Sequence, residues 1–247
     1  MELDVSATDE LPPVCVLAGG LGTRLGDLVQ QVPKPLLPIA GEPFLIHQLR
    51  LLQSQGAVRI VLSVGYLGEM IERRIGEEQF GMSIAYSYDG PQLVGTLGAV
   101  RRALPLLGTR FLVMYGDSYL RMDYRAATAA WRTSGRAALM AILKNEGRWD
   151  TSNVVFRDGL VAHYDKYCQT PDMRWIDYGL GGLTARALEC ADLDTADVAV
   201  LYHELAEHEE LCGYETSARF FEIGTPESLQ ETDRFLRSLE PSAASGP

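Results

Sequence analysis

The sequence predicts an α/β fold built on a doubly wound, mixed but mainly parallel sheet, and three observations predict it. Short apolar runs alternate with stretches of helical period through the first half of the chain. Two of those runs, Val14-Cys15-Val16-Leu17 and Phe111 to Tyr115, stop at glycine, where a buried strand enters a loop. The chain also has 247 residues and is 47% hydrophobic, enough to bury a core on both faces of a sheet. Strands that alternate with helices at this spacing are joined by right-handed crossovers.

Each element has its own signal. Val14 to Leu17 is a short buried strand. Pro43 in a first turn, the apolar Phe44, Leu45, Leu49 and Leu52, and then Gly56 outline a helix with sensible ends. Val58 to Val64 reads as a strand, Leu67 to Ile75 as a short helix, and Ser83 to Tyr88 alternates like a strand. A helix near Gly98 to Leu107 leads to the strand Phe111 to Tyr115. Asp123 to Thr133 reads as a helix and Ala137 to Leu143 as a strand. Asn153 to Phe156 and Leu160 to His163 flank Arg157-Asp158-Gly159 and predict a hairpin. Helices follow Thr184, cover Asp197 to Glu207, and begin again at Thr225-Pro226. One domain over residues 13–240 is expected, between a flexible N-terminus, 1–12, and a flexible tail, 241–247.

Charge narrows the partners. Lys and Arg total 22 against 33 Asp and Glu, a formal net charge of -11. Such a chain is a poor partner for nucleic acid or an anionic membrane, although a small phosphorylated ligand can bind where basic residues converge. No apolar run reaches membrane-span length, and the acidic N-terminus lacks a signal-peptide core. Cys15, Cys168, Cys190 and Cys212 are scattered, which reads as free thiols, buried in the case of Cys15, in a cytoplasmic protein. His203 and His208 are five apart and fall on different faces of a helix, so they do not form a metal pair.

The strongest chemical signal is Leu17-Ala18-Gly19-Gly20-Leu21-Gly22-Thr23-Arg24-Leu25, followed by Pro33-Lys34-Pro35-Leu36. Glycines after a strand let backbone N–H groups approach a polyphosphate without side-chain obstruction. Arg24 adds a planar fork for phosphate oxygens, and Lys34 is a second cation between two prolines. A tight turn with both cations in solvent would account for the same residues. The third glycine of a dinucleotide fingerprint is absent, and so is a G-x-x-x-x-G-K-[ST] loop. Gly116-Asp117 sets a carboxylate at the carboxyl end of a strand, where open α/β sheets bind ligands.

Together, L-A-G-G-L-G-T-R-L and V-P-K-P-L-L-P-I-A-G-E-P-F-L resemble the signature of the sugar-1-phosphate nucleotidyltransferases. Gly95-Thr96, Gly116-Asp117, Asp165-Lys166 and Glu222-Ile223-Gly224-Thr225-Pro226 follow in the family's order, so the resemblance runs from about Pro13 to about Phe235. Trp175 to Gly179 and the overall length are most similar to the short heptose 1-phosphate guanylyltransferases and N-acetylmuramate 1-phosphate uridylyltransferases. The resemblance implies a Rossmann-like nucleotidyltransferase fold, a nucleoside triphosphate and a sugar 1-phosphate as substrates, and Mg²⁺ as cofactor. It leaves room for a homodimer.

Residue by residue, it implies that Leu17, Ala18, Gly19, Gly20, Gly22, Thr23, Gly95 and Thr96 bind the nucleotide, with Asp89 near the base. Arg24 and Lys34 become the catalytic cations, Asp117 and Glu222 the metal ligands. Glu222 stands where the family usually has Asp. Asn153, Lys166, Asp177 and Tyr178 would meet the sugar phosphate, though Tyr178 could equally fill the core. Guanine is favoured over uracil because Trp175 to Gly179 and Gly95-Thr96 look more like the heptose guanylyltransferases; Asp89, an acid that resembling uridylyltransferases also carry, could pair with guanine's donors. Three alternatives stand beside this: a uridylyltransferase, a cytidylyltransferase acting on a non-sugar phosphate, and an inactive regulatory subunit that binds nucleotide sugar. Arg24, Lys34 and Asp117 are all present, which argues against the last.

Overall fold

A computed structural model describes residues 10–90, 94–191 and 197–239. Most of the predicted segments 1–12 and 241–247 therefore lie outside the described residues. Where the first of them is described it departs from expectation: Leu11 and Pro12 are buried, and Leu11 packs in the core. Arg132 also donates to the Glu10 carbonyl at 2.9 Å. Leu11 is held there because an apolar side chain at this position finds a core to join.

The first half follows the expected alternation. In chain order it comprises β1 (Val14–Leu17), β2 (Pro38–Ile39), β3 (Glu42–Pro43), α1 (Phe44–Ser54), β4 (Arg59–Val64), α2 (Gly68–Ile75), β5 (Glu78–Gln79), β6 (Met82–Tyr88), α3 (Gly95–Leu107), β7 (Arg110–Tyr115), β8 (Ser118–Leu120) and α4 (Tyr124–Ser134). Two 3₁₀ segments, Thr23–Val29 and Lys34–Leu36, carry the chain from β1 to β2. The second half adds β9 (Ala138–Lys144), β10 (Val154–Arg157), β11 (Leu160–Tyr164), β12 (Trp175–Thr184), α5 (Ala185–Cys190), α6 (Val198–Glu207), β13 (Leu211–Thr216), β14 (Phe220–Glu222) and α7 (Pro226–Leu239).

Ten of these strands form one sheet in the order β10-β11-β13-β9-β12-β7-β1-β4-β6-β5. β7, β1, β4 and β6 run parallel, as expected. Beyond β7 the sheet is mixed: β12 runs antiparallel to both β7 and β9, whereas β13 is parallel to β9. The expected hairpin forms as β10 and β11.

Winding on both faces follows from the period of two along each strand. Val14 and Val16 of β1 point into a core shared with Leu45 and Leu49 of α1, Ile71 of α2 and Trp131 of α4. Cys15, between them, points into the opposite core with Leu97 and Val100 of α3 and Leu201 and Tyr202 of α6. Burial pushes the Cys15 thiol up to about 12, with help from the nearby charge of Asp89, so it is an inert packing group. Cys212 is also a buried free thiol, and Cys168 is exposed. A smaller cluster of Ile39, Phe44, Tyr119, Ile223 and Leu236 ties α7 and the β8–β14 ribbon to the body.

Candidate active site

β1 and β7 are adjacent, parallel and in register, with Leu17 opposite Tyr115. The glycine loop and the Gly116-Asp117 turn therefore leave the sheet side by side, at its carboxyl edge. Two close approaches fix this geometry. A Cβ on Gly116 would lie 2.8 Å from the Leu17 carbonyl, and one on Gly19 would lie 2.7 Å from Asp89 Oδ2. The first lets the two turns lie against one another, and the second lets the glycine loop close on Asp89.

A cleft of about 350 Å³ opens above this edge. Leu17, Ala18, Gly19, Gly20, Gly22, Thr23, Arg24, Lys34, Asp89, Gly95, Thr96 and Asp117 all line it. Every residue expected at the nucleotide is thus brought to one place, along with the two expected cations and one of the two expected metal ligands. Ser63, Tyr115 and Gly224 complete the wall.

Lys34 Nζ donates to Asp117 Oδ2 at 2.5 Å, and the lysine is 9% exposed. Pro33 and Pro35 set up the 3₁₀ turn that aims it, closed by Leu36 N–H on the Pro33 carbonyl at 2.8 Å. From below, the wholly buried Gln48 of α1 donates 2.7 Å bonds to the carbonyls of Tyr115 and Ser118. Its amide clamps both ends of the turn that carries Asp117. Sequence reasoning missed Gln48, although one amide inside the apolar run Phe44 to Leu52 was a visible anomaly.

Glu222 reaches the same edge by tertiary pairing. β14 lies antiparallel to β8 with Glu222 opposite Ser118, and Ile223 N–H donates to the Asp117 carbonyl at 3.0 Å. The Glu222 carboxyl is half-buried. It is held above the usual carboxylate range first by burial and then by the negative charge of Asp117, against the pull of Lys34 and Arg24. A buried carboxyl raised by the charge of a neighbouring carboxylate marks a site short of positive charge. Hard oxygen donors fit a divalent cation that fills its remaining positions with phosphate oxygens and water. Asp117 and Glu222 are therefore suited to such an ion.

Asp89 sits at the cleft floor, 5% exposed, with Ser63 Oγ donating at 3.5 Å. Burial holds its carboxyl above the usual carboxylate range, partly offset by Arg102 and Ser63. α3 begins at Gly95 with no side chain capping its first turn, so its first backbone donors are left for the cleft that Gly95 and Thr96 line.

The residues expected at the sugar phosphate lie beside the cleft instead of lining it. Lys166 Nζ pairs with Asp197 Oδ2 at 3.0 Å, and Thr96 Oγ1 donates to Asp197 Oδ1 at 3.1 Å. Asp197, which also caps α6 by accepting from Ala199 N–H, thus links Lys166 to the cleft wall. Its carboxyl is held below the usual range by the Ala199 amide and Lys166, which outweigh the opposing effect of burial. As a bare helix cap it carried no functional signal in the sequence. Asn153 Oδ1 accepts from the Asp177 backbone at 2.9 Å, so that side chain positions Asp177. The Asp177 carboxyl is raised by burial and accepts from Gly179 N–H at 2.8 Å. Of the two readings of Tyr178, its place matches the core: it is 2% exposed and sits edge-on to Phe220 at 6.1 Å.

Residues 14–152 match the nucleotidyl transferase family. The chain belongs to that family and is a nucleotidyltransferase, an enzyme class that works with a divalent metal. It is 29% identical over 227 residues to D-glycero-alpha-D-manno-heptose 1-phosphate guanylyltransferase of Aneurinibacillus thermoaerophilus, covering 90% of this chain and 97% of that one. Over 114 residues it is 40% identical to N-acetylmuramate alpha-1-phosphate uridylyltransferase of Neisseria meningitidis, covering 45% and 49%. Among solved structures it is similar to HddC from Yersinia pseudotuberculosis complexed with GMP-PN, at 25% identity and a TM-score of 0.73, covering 92% of this chain and all of that one.

Among the described residues, no helix is long and apolar enough to cross a membrane.

Proposed function

We propose that this chain transfers a nucleotidyl group from GTP to a heptose or hexose 1-phosphate, releasing pyrophosphate. The observation that carries this reading is the convergence of the glycine loop, Arg24, Lys34 and Asp117 on one cleft floored by Asp89. The guanylyltransferase relative that spans almost the whole chain supports the choice of base and sugar.

An oxygen of the sugar 1-phosphate attacks the α-phosphorus of the triphosphate. The new phosphorus–oxygen bond forms as the bond to the β-phosphate bridging oxygen breaks, and pyrophosphate leaves in line. The nucleophile is already an anion, so no general base and no covalent enzyme intermediate are needed. Catalysis is positioning and charge neutralisation. Loop amides and Arg24 hold the β- and γ-phosphates, and Lys34 turns from Asp117 to the α-phosphate and the attacking oxygen. Lys166 takes the sugar phosphate, with Asp177 as acceptor for sugar hydroxyls. Mg²⁺ is the ion assigned to Asp117 and Glu222; when bound, it neutralises charge on the phosphate oxygens. Asp89 accepts from the ring and exocyclic N–H groups of guanine.

The test is pyrophosphate release from a panel of four nucleoside triphosphates with several sugar 1-phosphates. GTP with a heptose or hexose 1-phosphate is expected to react fastest. Preference for UTP or CTP would overturn the choice of base, and no release from any pair would overturn the assigned reaction.

A further inference from the structure

His163 on β11 meets His203 and Glu207 on α6, and none of the three lines the cleft. Each of the three offers one ligand atom, and these atoms all lie within 4.8 Å of one another. We infer that His163, His203 and Glu207 form a second metal site, selective for a nitrogen-seeking divalent cation such as Zn²⁺ over Mg²⁺.

Three features of the cluster support a site over an accidental ion pair. His203 and Glu207 are four residues apart, so they project from one face of α6, and that face packs on β11. His203 Nδ1 lies 2.6 Å from the Tyr164 carbonyl. A carbonyl can only accept, so Nδ1 carries the proton and the neutral ring presents its lone pair at Nε2. A backbone carbonyl that fixes the tautomer in this way is the usual outer partner of a metal-bound histidine. His163 Nδ1 lies 2.7 Å from Glu207 Oε1, and the two rings meet edge to face at 5.7 Å. Asp165 adds negative charge felt by both imidazoles.

Ligand atoms around a four-coordinate zinc ion sit about 3.3 Å apart, given metal–nitrogen distances of about 2.0–2.1 Å. Side-chain adjustments of about an ångström would therefore close this set on an ion, leaving a fourth position for water. Two imidazoles and one carboxylate favour zinc, whereas Mg²⁺ prefers all-oxygen coordination. Location gives the site a consequence. His163 lies two residues before Asp165 and three before Lys166, and His203 lines a small pocket with Asp165, Lys166 and Tyr167. At its other end α6 begins at Asp197, the partner of Lys166. A metal joining β11 to α6 would brace the segment that presents Lys166.

The experiment is a Zn²⁺ titration of the chelator-treated full chain in saturating Mg²⁺, followed by calorimetry, with Co²⁺ as a spectroscopic substitute. One equivalent of Zn²⁺ is expected to bind, and the Co²⁺ form should show the intense visible bands of four-coordination. His203→Gln and Glu207→Gln should each weaken Zn²⁺ binding by about tenfold or more while leaving Mg²⁺-dependent pyrophosphate release unchanged. Circular dichroism checks that each variant folds. Wild-type protein that takes up no Zn²⁺ would overturn the proposal without any variant. So would a Zn²⁺ affinity equal to wild type in both variants, which would place the ion elsewhere.

Discussion

Lys34 donates to Asp117 at 2.5 Å across 83 residues of sequence. That single contact joins the loop after β1 to the end of β7, so the cation assigned to the reacting phosphates and a carboxylate assigned to the metal are held as a pair. The pair is mostly shielded from solvent, with side-chain exposures of 11% and 26%. A triphosphate and a divalent cation would exchange this internal partner for external ones on both sides at once.

Replacing either cation should cost rate while sparing the fold. Lys34→Ala and Arg24→Ala each remove a charge assigned to the transferring phosphates. Losing such a contact typically costs about 2.7–4 kcal/mol, a hundred- to thousandfold in turnover. Pyrophosphate release, measured beside far-UV circular dichroism, checks both halves. Turnover near wild type in either variant would remove that residue from the assigned machinery.

Gln48→Leu should reveal a residue that acts on chemistry without touching substrate. The change leaves the Tyr115 and Ser118 carbonyls without the amide that clamps them. Orphaning buried acceptors costs about 1–3 kcal/mol of stability. Because Asp117 lies between those two carbonyls, the requirement for Mg²⁺ should rise as well. A variant that loses stability while keeping the wild-type Mg²⁺ dependence would reduce Gln48 to a packing role.

Asp89→Asn should stabilise the protein at neutral pH and weaken GTP use together. Burial raises the pKa of Asp89 in the folded state above its unfolded value. Its ionised form therefore costs stability: the favourable contribution is complete below the unfolded value and is lost as pH rises through the folded one. The amide avoids that loss, so its melting temperature should exceed wild type near pH 7, with the gap closing in acid. GTP turnover should fall, because an amide oxygen is a weaker acceptor for guanine's donors than a carboxylate. A melting temperature below wild type at neutral pH would contradict the sign.

The same reasoning applies to Glu222, whose carboxyl is also raised, by burial and by Asp117. Its ionised form costs stability at neutral pH, and a bound cation would relieve that cost. Added Mg²⁺ should raise the melting temperature more at neutral than at acid pH, and this shift should shrink in Glu222→Gln. A ligand present at about a hundred times its dissociation constant stabilises by about 2.7 kcal/mol, which a thermal melt resolves readily. An equal Mg²⁺ shift in the variant would remove Glu222 from the metal site.

Gly116→Ala should damage fold and site together. The new methyl would stand 2.8 Å from the Leu17 carbonyl and 3.1 Å from Ala18 Cα, both backbone atoms with little room to yield. Overpacking of this kind costs about 1–3 kcal/mol. A denaturant melt and an activity assay should both move, and a silent variant would show that β1 and β7 can part at this edge.

By itself the sequence determined the parallel half of the sheet, the helices packed on it and the nucleotide side of the cleft. These are local properties: a buried strand such as Val14 to Leu17 shows its hydrophobic run, and a phosphate loop needs glycines next to one another in the chain. The tertiary structure alone decided what depends on residues far apart. β12 was not legible as the strand that joins β7 to β9, because glycines interrupt its apolar pattern between Tyr178 and Leu183. β8 and β14 are three-residue strands that only their mutual pairing defines, yet that pairing brings Glu222 to Asp117. Gln48, Asp197 and the meeting of His163 with His203 and Glu207 likewise arise from packing between elements. A hydrogen bond or ligand set that spans 31 to 101 residues leaves no period, spacing or run in the chain to mark it.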